Sequence, residues 1–470
     1  AKTMTTGEVV YLAELASGES ESVERFKLNA GIERRILSSK RFLRSKVAVV
    51  SVAGAFRKGK SFLLNFFLRY LRALSRGDTR DWIRSDDQLD DEFHWRAGIE
   101  RDTTGILIWS EPFFIRKPDG EAVAVLLMDT QGTFDHQNST SIFVFSTLLS
   151  SVQIFNISQN IQETDLQHLR LFVEFASMAK DESEKVLQDL WFLRVVIRDW
   201  QNPDEFENGH AGGMRYLRKV VASDENMPAE NPPRRHQEIF RMFCCLLPSP
   251  GKCATRSNVR GELEKLDEDF VEEVEKFVEL VLSPEKLVIK AVNGRELTGR
   301  ELLNFAKVYF EAFRSGRLPS PKSLFSATVE LTNAVVAASA RQTFVDKARP
   351  ISASASAVDA IELEPQLQKL ADESLEQFDK RCMQKDSTDC DKCRRKLHDD
   401  LQREVQDLIL MNQLKSDKIA EQKKGELLQQ DFQRLLDEKV DTNRRMQQLE
   451  QEFQEKVKRI LESSVSKEEM

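Results

Sequence analysis

The residues with the most chemistry to offer lie in one stretch, Ser51-Val52-Ala53-Gly54-Ala55-Phe56-Arg57-Lys58-Gly59-Lys60-Ser61. Gly54, Gly59, Lys60 and Ser61 fall at the spacing G-x-x-x-x-G-K-[ST], which predicts a loop whose backbone N–H groups turn inward on phosphate oxygens. Lys60 is expected to reach the β- and γ-phosphates, and the Ser61 hydroxyl to ligate Mg²⁺. The set expected to touch a nucleoside triphosphate is Gly54, Phe56, Arg57, Lys58, Gly59, Lys60, Ser61 and Phe62. The competing reading is a chance glycine turn before a helix. Context favours phosphate: residues 47–53 are an apolar run that reads as a buried parallel strand, and residues 62–71 read as a helix whose N-terminus adds its positive dipole.

A second motif follows about 70 residues later, where an apolar strand ends in Asp129-Thr130-Gln131-Gly132. An aspartate there is expected to hold Mg²⁺ through water, and the Gly132 N–H to face the γ-phosphate. Thr103 or Thr104, in the preceding loop, would complete the Mg²⁺ shell, so Ser61, Thr103 and Asp129 are the expected metal set. D-x-x-G alone is a common pattern; its place after the glycine loop gives it weight. Thr133 follows Gly132, so the glutamine that orients water in Ras-like enzymes is missing from its usual place. Catalysis must then come from elsewhere. Arg57, inside the loop, is the candidate, because a cation arriving at the transferring phosphoryl group offsets the charge that spreads there; the alternative is a solvated loop charge. The catalytic set is therefore read as Arg57, Lys60 and Thr103.

No N-K-x-D segment ends a strand. Arg198-Asp199 stands where base recognition is expected, after an apolar strand at 190–197. A carboxylate there can accept from guanine N1–H and the 2-amino group together, whereas adenine offers neither donor. The alternative is a surface ion pair.

These groups need a sheet to hold them. Beyond the loop and its helix, residues 106–115 read as a strand, Lys117-Pro118-Asp119-Gly120 as a hairpin turn, and 123–128 as the returning strand. A helix at 142–149, a strand at 152–157, a helix at 162–178, the strand at 190–197, a polar insertion at 202–213, a Pro-rich loop at 227–233, a helix at 237–243 and a strand at 244–247 complete the alternation. The expected fold is a doubly wound α/β P-loop domain followed by an α-helical bundle and a long C-terminal helix. Expected boundaries are an N-terminal extension over 1–46, with residues 28–43 helical in spacing, the nucleotide domain over 47–318, a helical middle domain over 319–420 and a charged helix over 421–470. In that last helix Leu428, Phe432, Leu435, Met446, Leu449, Phe453 and Ile460 form a heptad seam interrupted by Lys439, Thr442 and Lys456, able to pair with a second chain or fold back along the bundle.

The formal net charge of −8 argues against nucleic acid as a partner. Six cysteines in 470 residues make no disulfide framework and imply a reducing compartment. Cys382, Cys390, Cys393 and His398 are read as free thiols and an imidazole near a helix–helix turn, with zinc the alternative. No signal peptide or bilayer-length apolar run is read, so a soluble, cytosolic chain is expected, and its start at Ala1 reads as a trimmed one.

Taken together, VAGAFRKGKSFLLNF, RDTTGILIWSEPF, KPDGEAVAVLLMDTQGTFD, SQNIQETDLQHLRLF, VIRDW, LLPSPG and LPSPKS make the chain resemble the atlastins, GTPases of the dynamin superfamily, and more distantly the guanylate-binding proteins. The resemblance runs from residue 28 to about 345, more weakly to about 420. It implies that Arg57 is an arginine finger acting in cis and that Arg198-Asp199 reads guanine. It also implies a GTP/GDP cycle in which a homodimer forms through the nucleotide face and a helical stalk moves; in atlastins that cycle tethers and fuses endoplasmic reticulum membranes. Between Asp135 and Ser146 the chain is a few residues shorter than atlastins, and the family's transmembrane hairpin is not seen. A membrane role is thus expected only through an anchor or partner outside this chain, on the cytosolic face of the endoplasmic reticulum. The alternatives are a soluble scaffold like the guanylate-binding proteins, or a module that binds GTP without productive turnover.

Overall fold

The computed structural model describes residues 7–16, 25–29, 39–55, 58–80, 82–83, 88–89, 92–93, 105–130, 137–169, 192–222, 242–251, 262–292, 294–314, 318–352, 360–385, 387–420, 433–447 and 450. The chain divides into two compact units, Ala1–Pro321 and Lys322–Met470.

In the first unit the described strands are β1 (Val9–Ala16), β2 (Arg25–Leu28), β3 (Lys46–Gly54), β4 (Gly105–Trp109), β5 (Phe113–Arg116), β6 (Ala122–Thr130), β7 (Val152–Ser158), β8 (Phe192–Arg198) and β9 (Phe243–Leu246). They form one sheet in the order β2-β1-β4-β6-β3-β7-β8-β9, with β5 also on β6. The five strands β6, β3, β7, β8 and β9 run parallel, and this is the doubly wound α/β fold expected from the apolar runs. β4 and β5 are two pieces of one edge: both run antiparallel to β6, β4 on its C-terminal half and β5 on its N-terminal half. The Pro-Asp-Gly hairpin joins β5 to β6, closed by Gly120 N–H donating to the Lys117 carbonyl at 2.9 Å.

Helices cover both faces. On one side α2 (Lys60–Arg76) and α5 (Glu268–Leu282) bury Phe62, Phe66, Phe67, Phe270 and Phe277 against Ala48, Val50, Val125, Ile154 and Val196. α3 (Gln137–Leu149) and α6 (Gly299–Phe313) pack together, with the Phe145 ring edge-on to Phe310 and Phe313. α6 is a well-defined helix because Thr298 caps it: its hydroxyl accepts from the Glu301 N–H while the Glu301 carboxylate accepts from the Thr298 N–H. A small hairpin, β10 (Ala291–Val292) with β11 (Arg295–Glu296), precedes it.

Three expectations change here. The N-terminal extension supplies strands: β1 and β2 extend the sheet beyond β4, and residues 25–28, at the edge of the expected helix, are strand, while helix α1 (Lys40–Arg44) stands at its other end. The register slips between Tyr11 and Ala13, which breaks the alternation that would have marked a strand. The polar insertion at 202–213, read without an element of its own, runs into helix α4 (Gly209–Ala222). Its glycines serve close packing: a Cβ on Gly213 would strike the Cys244 carbonyl of β9. Finally, Phe243, placed at the end of a helix, begins β9, while 237–241 lie outside the described residues.

The second unit is helical: α7 (Pro321–Ser352), α8 (Ala360–Arg381) and α9 (Thr388–Ala420) bury Phe344, Leu367, Phe378, Leu401 and Val405. Residues 433–447 are also helical. Their half-buried positions are Leu435, Lys439, Thr442 and Met446, a 4-3-4 spacing that includes two of the seam's polar interruptions. Lys439 lies 3.6 Å from Glu404, and Arg341 donates to Met446 Sδ at 2.8 Å, so this stretch folds back on its own unit. Cys382 and Cys390 are buried in the bundle core, where burial pushes the Cys390 thiol up to about 12, and the half-exposed His398 sits beside Asp399. Among the described residues no three metal-ligating side chains converge, and no helix is long and apolar enough to cross a membrane.

Candidate functional site

The site forms where β3, β6, β7 and β8 end. β3 runs out at Gly54 and the chain re-enters helix at Lys60, with Gly59 as the N-cap at φ 69°. Gly59 has no side chain to cap the helix, and the first turn holds no acidic residue. No side chain therefore caps the first N–H groups of α2, which lie at the positive end of the helix dipole, the arrangement that binds phosphate. Glycine is also required sterically, because a Cβ at Gly59 would collide with the Arg198 guanidinium.

Lys60 is buried at the mouth of this loop and donates to the Ala55 carbonyl at 3.1 Å. Burial pushes its pKa down, against the pull of Asp129. Asp129, the penultimate residue of β6, is 1% exposed. Its Oδ2 accepts from the Ser61 hydroxyl at 2.5 Å, and its Oδ1 is buried with no hydrogen-bond partner among the described residues. Burial raises its pKa to about 6, with Lys60 and the Ser61 hydroxyl pulling the other way. Two expected Mg²⁺ ligands thus meet, with a spare carboxylate oxygen beside them. Oxygen donors with an unsatisfied anionic member are what a hard divalent cation takes, so Ser61 and Asp129 fit Mg²⁺.

Behind the loop stands a brace that the motif does not contain. The Lys58 carbonyl accepts from Arg198 Nη1 at 2.6 Å and from Asn156 Nδ2 at 2.7 Å. β8 and β7 therefore hold the loop from below, each through one polar residue at the C-terminal end of an apolar strand. Asn156 was not singled out from the sequence; an asparagine inside the run Ile154-Phe155-Asn156-Ile157 was the available signal. Arg198 is buried, its guanidinium 5.9 Å from the Phe62 ring centre, and burial lowers its pKa despite Asp199. Of the Arg198-Asp199 pair, then, the arginine faces the loop backbone.

Asp199 is the partly exposed member, at φ 56°, a conformation uncommon outside glycine. Its neighbours hold it there: Gln159 N–H donates to the Arg198 carbonyl at 2.6 Å, and Trp200 N–H to the Leu247 carbonyl at 3.1 Å. The Trp200 indole N–H donates to Phe206 O at 2.9 Å, and its ring lies 4.9 Å from that of Tyr216. The side chain left at the strand end is a carboxylate with the Ser158 hydroxyl 3.5 Å away.

Of the other expected residues, Phe62 places its ring in the core against Phe270, leaving its backbone N–H as what it can offer a nucleotide. Gly54 ends β3 beside the Asn156 backbone. Phe56, Arg57, Thr103, Thr104 and Gly132 lie outside the described residues.

Comparison with known proteins agrees with this geometry. The model of the guanylate-binding protein N-terminal domain matches residues 24–291, more than half of the chain. Atlastin-1 of Bos taurus is 43% identical over 335 residues, 69% of this chain and 59% of that protein. Atlastin-2 of Homo sapiens is 43% identical over 333 residues, 69% of this chain and 56% of that protein. The chain thus spans less than two thirds of the length of these relatives. Among solved structures, the Ski7 GTPase-like domain of S. cerevisiae bound to GTP is 14% identical over 50% of each chain with a TM-score of 0.25, too slight a likeness to argue from.

Proposed function

Because the chain belongs to the guanylate-binding-protein family and is an atlastin-like member of it, we propose that it hydrolyses GTP to GDP and phosphate and changes its association state in doing so. The observation that carries this reading is the meeting of Ser61, in the uncapped first turn of α2, with Asp129, whose Oδ1 is buried and unanswered among the described residues.

Each residue then has a task. The N–H groups of the first turn of α2 hold the phosphates, and Lys60 exchanges the Ala55 carbonyl for a phosphate oxygen. Mg²⁺, held by Ser61, by Asp129 through water and by Thr103, would neutralise charge on the phosphate oxygens. Arg57 enters over the phosphates and stabilises the charge that develops on the transferring group, a contribution of roughly 10³–10⁵ in rate. Asp199 accepts from guanine N1–H and the 2-amino group; Arg198 supports this indirectly, by fixing the loop that carries the phosphates. Thr103 on the metal and the Gly132 N–H at the terminal phosphate would couple the loops around them to the nucleotide state. GTP would join two copies through the nucleotide face, and hydrolysis would reset the helical unit. Tethering or fusion of membranes at the cytosolic face of the endoplasmic reticulum is proposed only through an anchor or partner outside this chain.

Phosphate release is the test. Turnover with GTP is expected to exceed turnover with ATP by at least tenfold, and equal rates would remove Asp199 from base selection. No release above background would leave only a binding module. Light scattering should give a larger mass with a transition-state mimic than with GDP; the same monomer mass in both states would end the association model.

A further inference from the structure

At the other end of β8 the sheet holds a second buried guanidinium. Arg194 is 4% exposed, and its Nε and Nη1 are buried with no hydrogen-bond partner among the described residues. It stacks on Phe243, with the guanidinium carbon 4.9 Å from the ring centre. Alternation along the strand puts Arg194, Val196 and Arg198 on one face, and Arg194 lies about 16 Å from Asp199 at a rise of about 3.3 Å per residue. It is therefore remote from the phosphate loop.

Arg194 lines a cavity of ≈ 490 Å³ that opens at the N-terminal edge of β8 and β9. That volume lies within the roughly 300–1,000 Å³ of small-molecule sites. Phe192, Phe243, Leu280, Leu287 and Ile289 form apolar walls, and Lys117 and Lys286 add two cations. Among the described residues the one acidic residue lining it, Glu296, is bonded to Lys46. Burial pushes Arg194 down to about 10, offset only by Cys245 and by no carboxylate among the described residues.

A guanidinium does not give up its proton in any ordinary range. Burying one without a counter-charge is costly, and a fold accepts it only when something restores the balance. One buried positive charge at the base calls for one monovalent anion; apolar walls call for a hydrocarbon or aromatic body. We propose that this cavity binds a small monocarboxylate with an apolar body, its carboxylate on Arg194 and its body between Phe192, Phe243 and Leu287. Phosphate fits less well, since it has no apolar body for the walls of Phe192, Phe243 and Leu287 and its remaining oxygens would face them without hydrogen-bond donors.

The probe is octanoate, titrated into the full chain and followed by calorimetry and thermal melting, with octanol as the neutral control and inorganic phosphate as the polar anion control. Octanoate should bind and raise the melting temperature, and octanol and phosphate at the same concentrations should not. Arg194→Met should weaken octanoate at least about tenfold, the loss expected for a hydrogen-bonded charge, and should melt higher than wild type in buffer alone. Lys286→Glu, an exposed position, should weaken octanoate several-fold with unchanged melting in buffer. Equal effects of octanol and octanoate, a response to phosphate as large as that to octanoate, or no response at all would overturn the proposal. So would an octanoate response that survives in Arg194→Met. If that variant does not fold, unchanged octanoate affinity in Lys286→Glu overturns it instead.

Discussion

Strand β8 carries two buried arginines on one face, Arg194 near its start and Arg198 at its end, and each stacks on a phenylalanine, Phe243 for the first and Phe62 for the second. The likeness stops there. Arg198 donates to the Lys58 carbonyl at 2.6 Å and so belongs to the phosphate loop. Arg194 keeps Nε and Nη1 without a partner among the described residues. Parallel strands direct their C-terminal ends toward ligand, and there a buried charge finds backbone carbonyls in the loops that leave the sheet. The N-terminal edge presents the underside, walled by α5 and the segment that follows it, and the same side chain finds apolar walls. Position along one strand thus separates a cation that braces the glycine loop from one that keeps two N–H groups without a partner among the described residues.

That contrast yields a graded set of expectations: cations at the upper end set rate and nucleotide affinity, and cations at the lower end set stability. The largest effect is at Arg57. Arg57→Ala should lower phosphate release roughly 10³-fold or more with little change in melting temperature; single-turnover kinetics beside a melting curve checks both. A fall of less than about tenfold would break the assignment of catalysis to the upper end. Next is Arg198→Met, which removes a charged donor from the Lys58 carbonyl. Fluorescent-nucleotide titration should show GTP affinity reduced about tenfold or more. Unchanged affinity would mean that Asn156 alone is enough to hold the loop.

The lower edge offers a pH test. Lys290 is 2% exposed, donates to the Ser150 carbonyl at 2.8 Å, and is pushed down by burial to about 7. Between about 7 and the ordinary 10.5 the unfolded chain holds a proton at this lysine that the folded chain has released. Stability should therefore rise with pH across that window, by up to about 1.4 kcal/mol per unit from this group. Lys290→Met should flatten the slope in urea unfolding between pH 7 and 9. A slope that persists would assign the titration to another group. The smallest effect is at Thr298, which caps α6. Thr298→Ala should cost about 1 kcal/mol of stability and leave phosphate release unchanged, showing that the lower structure can be weakened without touching the chemistry.

Much of this molecule was readable along the chain because its signals are local. The glycine loop, the Asp129 strand end and the Pro-Asp-Gly hairpin each depend on residues within a few positions of one another, and each appears where expected. Signals that need a distant partner did not read. β1 gave no alternation across its slip, and its strand character comes from pairing with β4. The Gly-rich start of α4 read only as the end of a polar insertion because its reason, contact with β9, lies some thirty residues away. Lys439 and Thr442 looked like breaks in a seam; Lys439 is answered by Glu404 of α9.

By itself the sequence determined which end of the sheet carries the glycine loop and that Ser61 and Asp129 stand there. Those follow from residue types at fixed short spacing, and backbone geometry carries them directly into the loop. Only the tertiary structure decided the fates of the two arginines of β8. Arg194 and Arg198 are the same residue four positions apart, and nothing local tells them apart. The Lys58 carbonyl, which answers one and not the other, comes from a loop 140 residues away in the chain. Whether a buried charge is satisfied is a property of what the fold brings to it, and the sheet brings a carbonyl to one end and a cavity to the other.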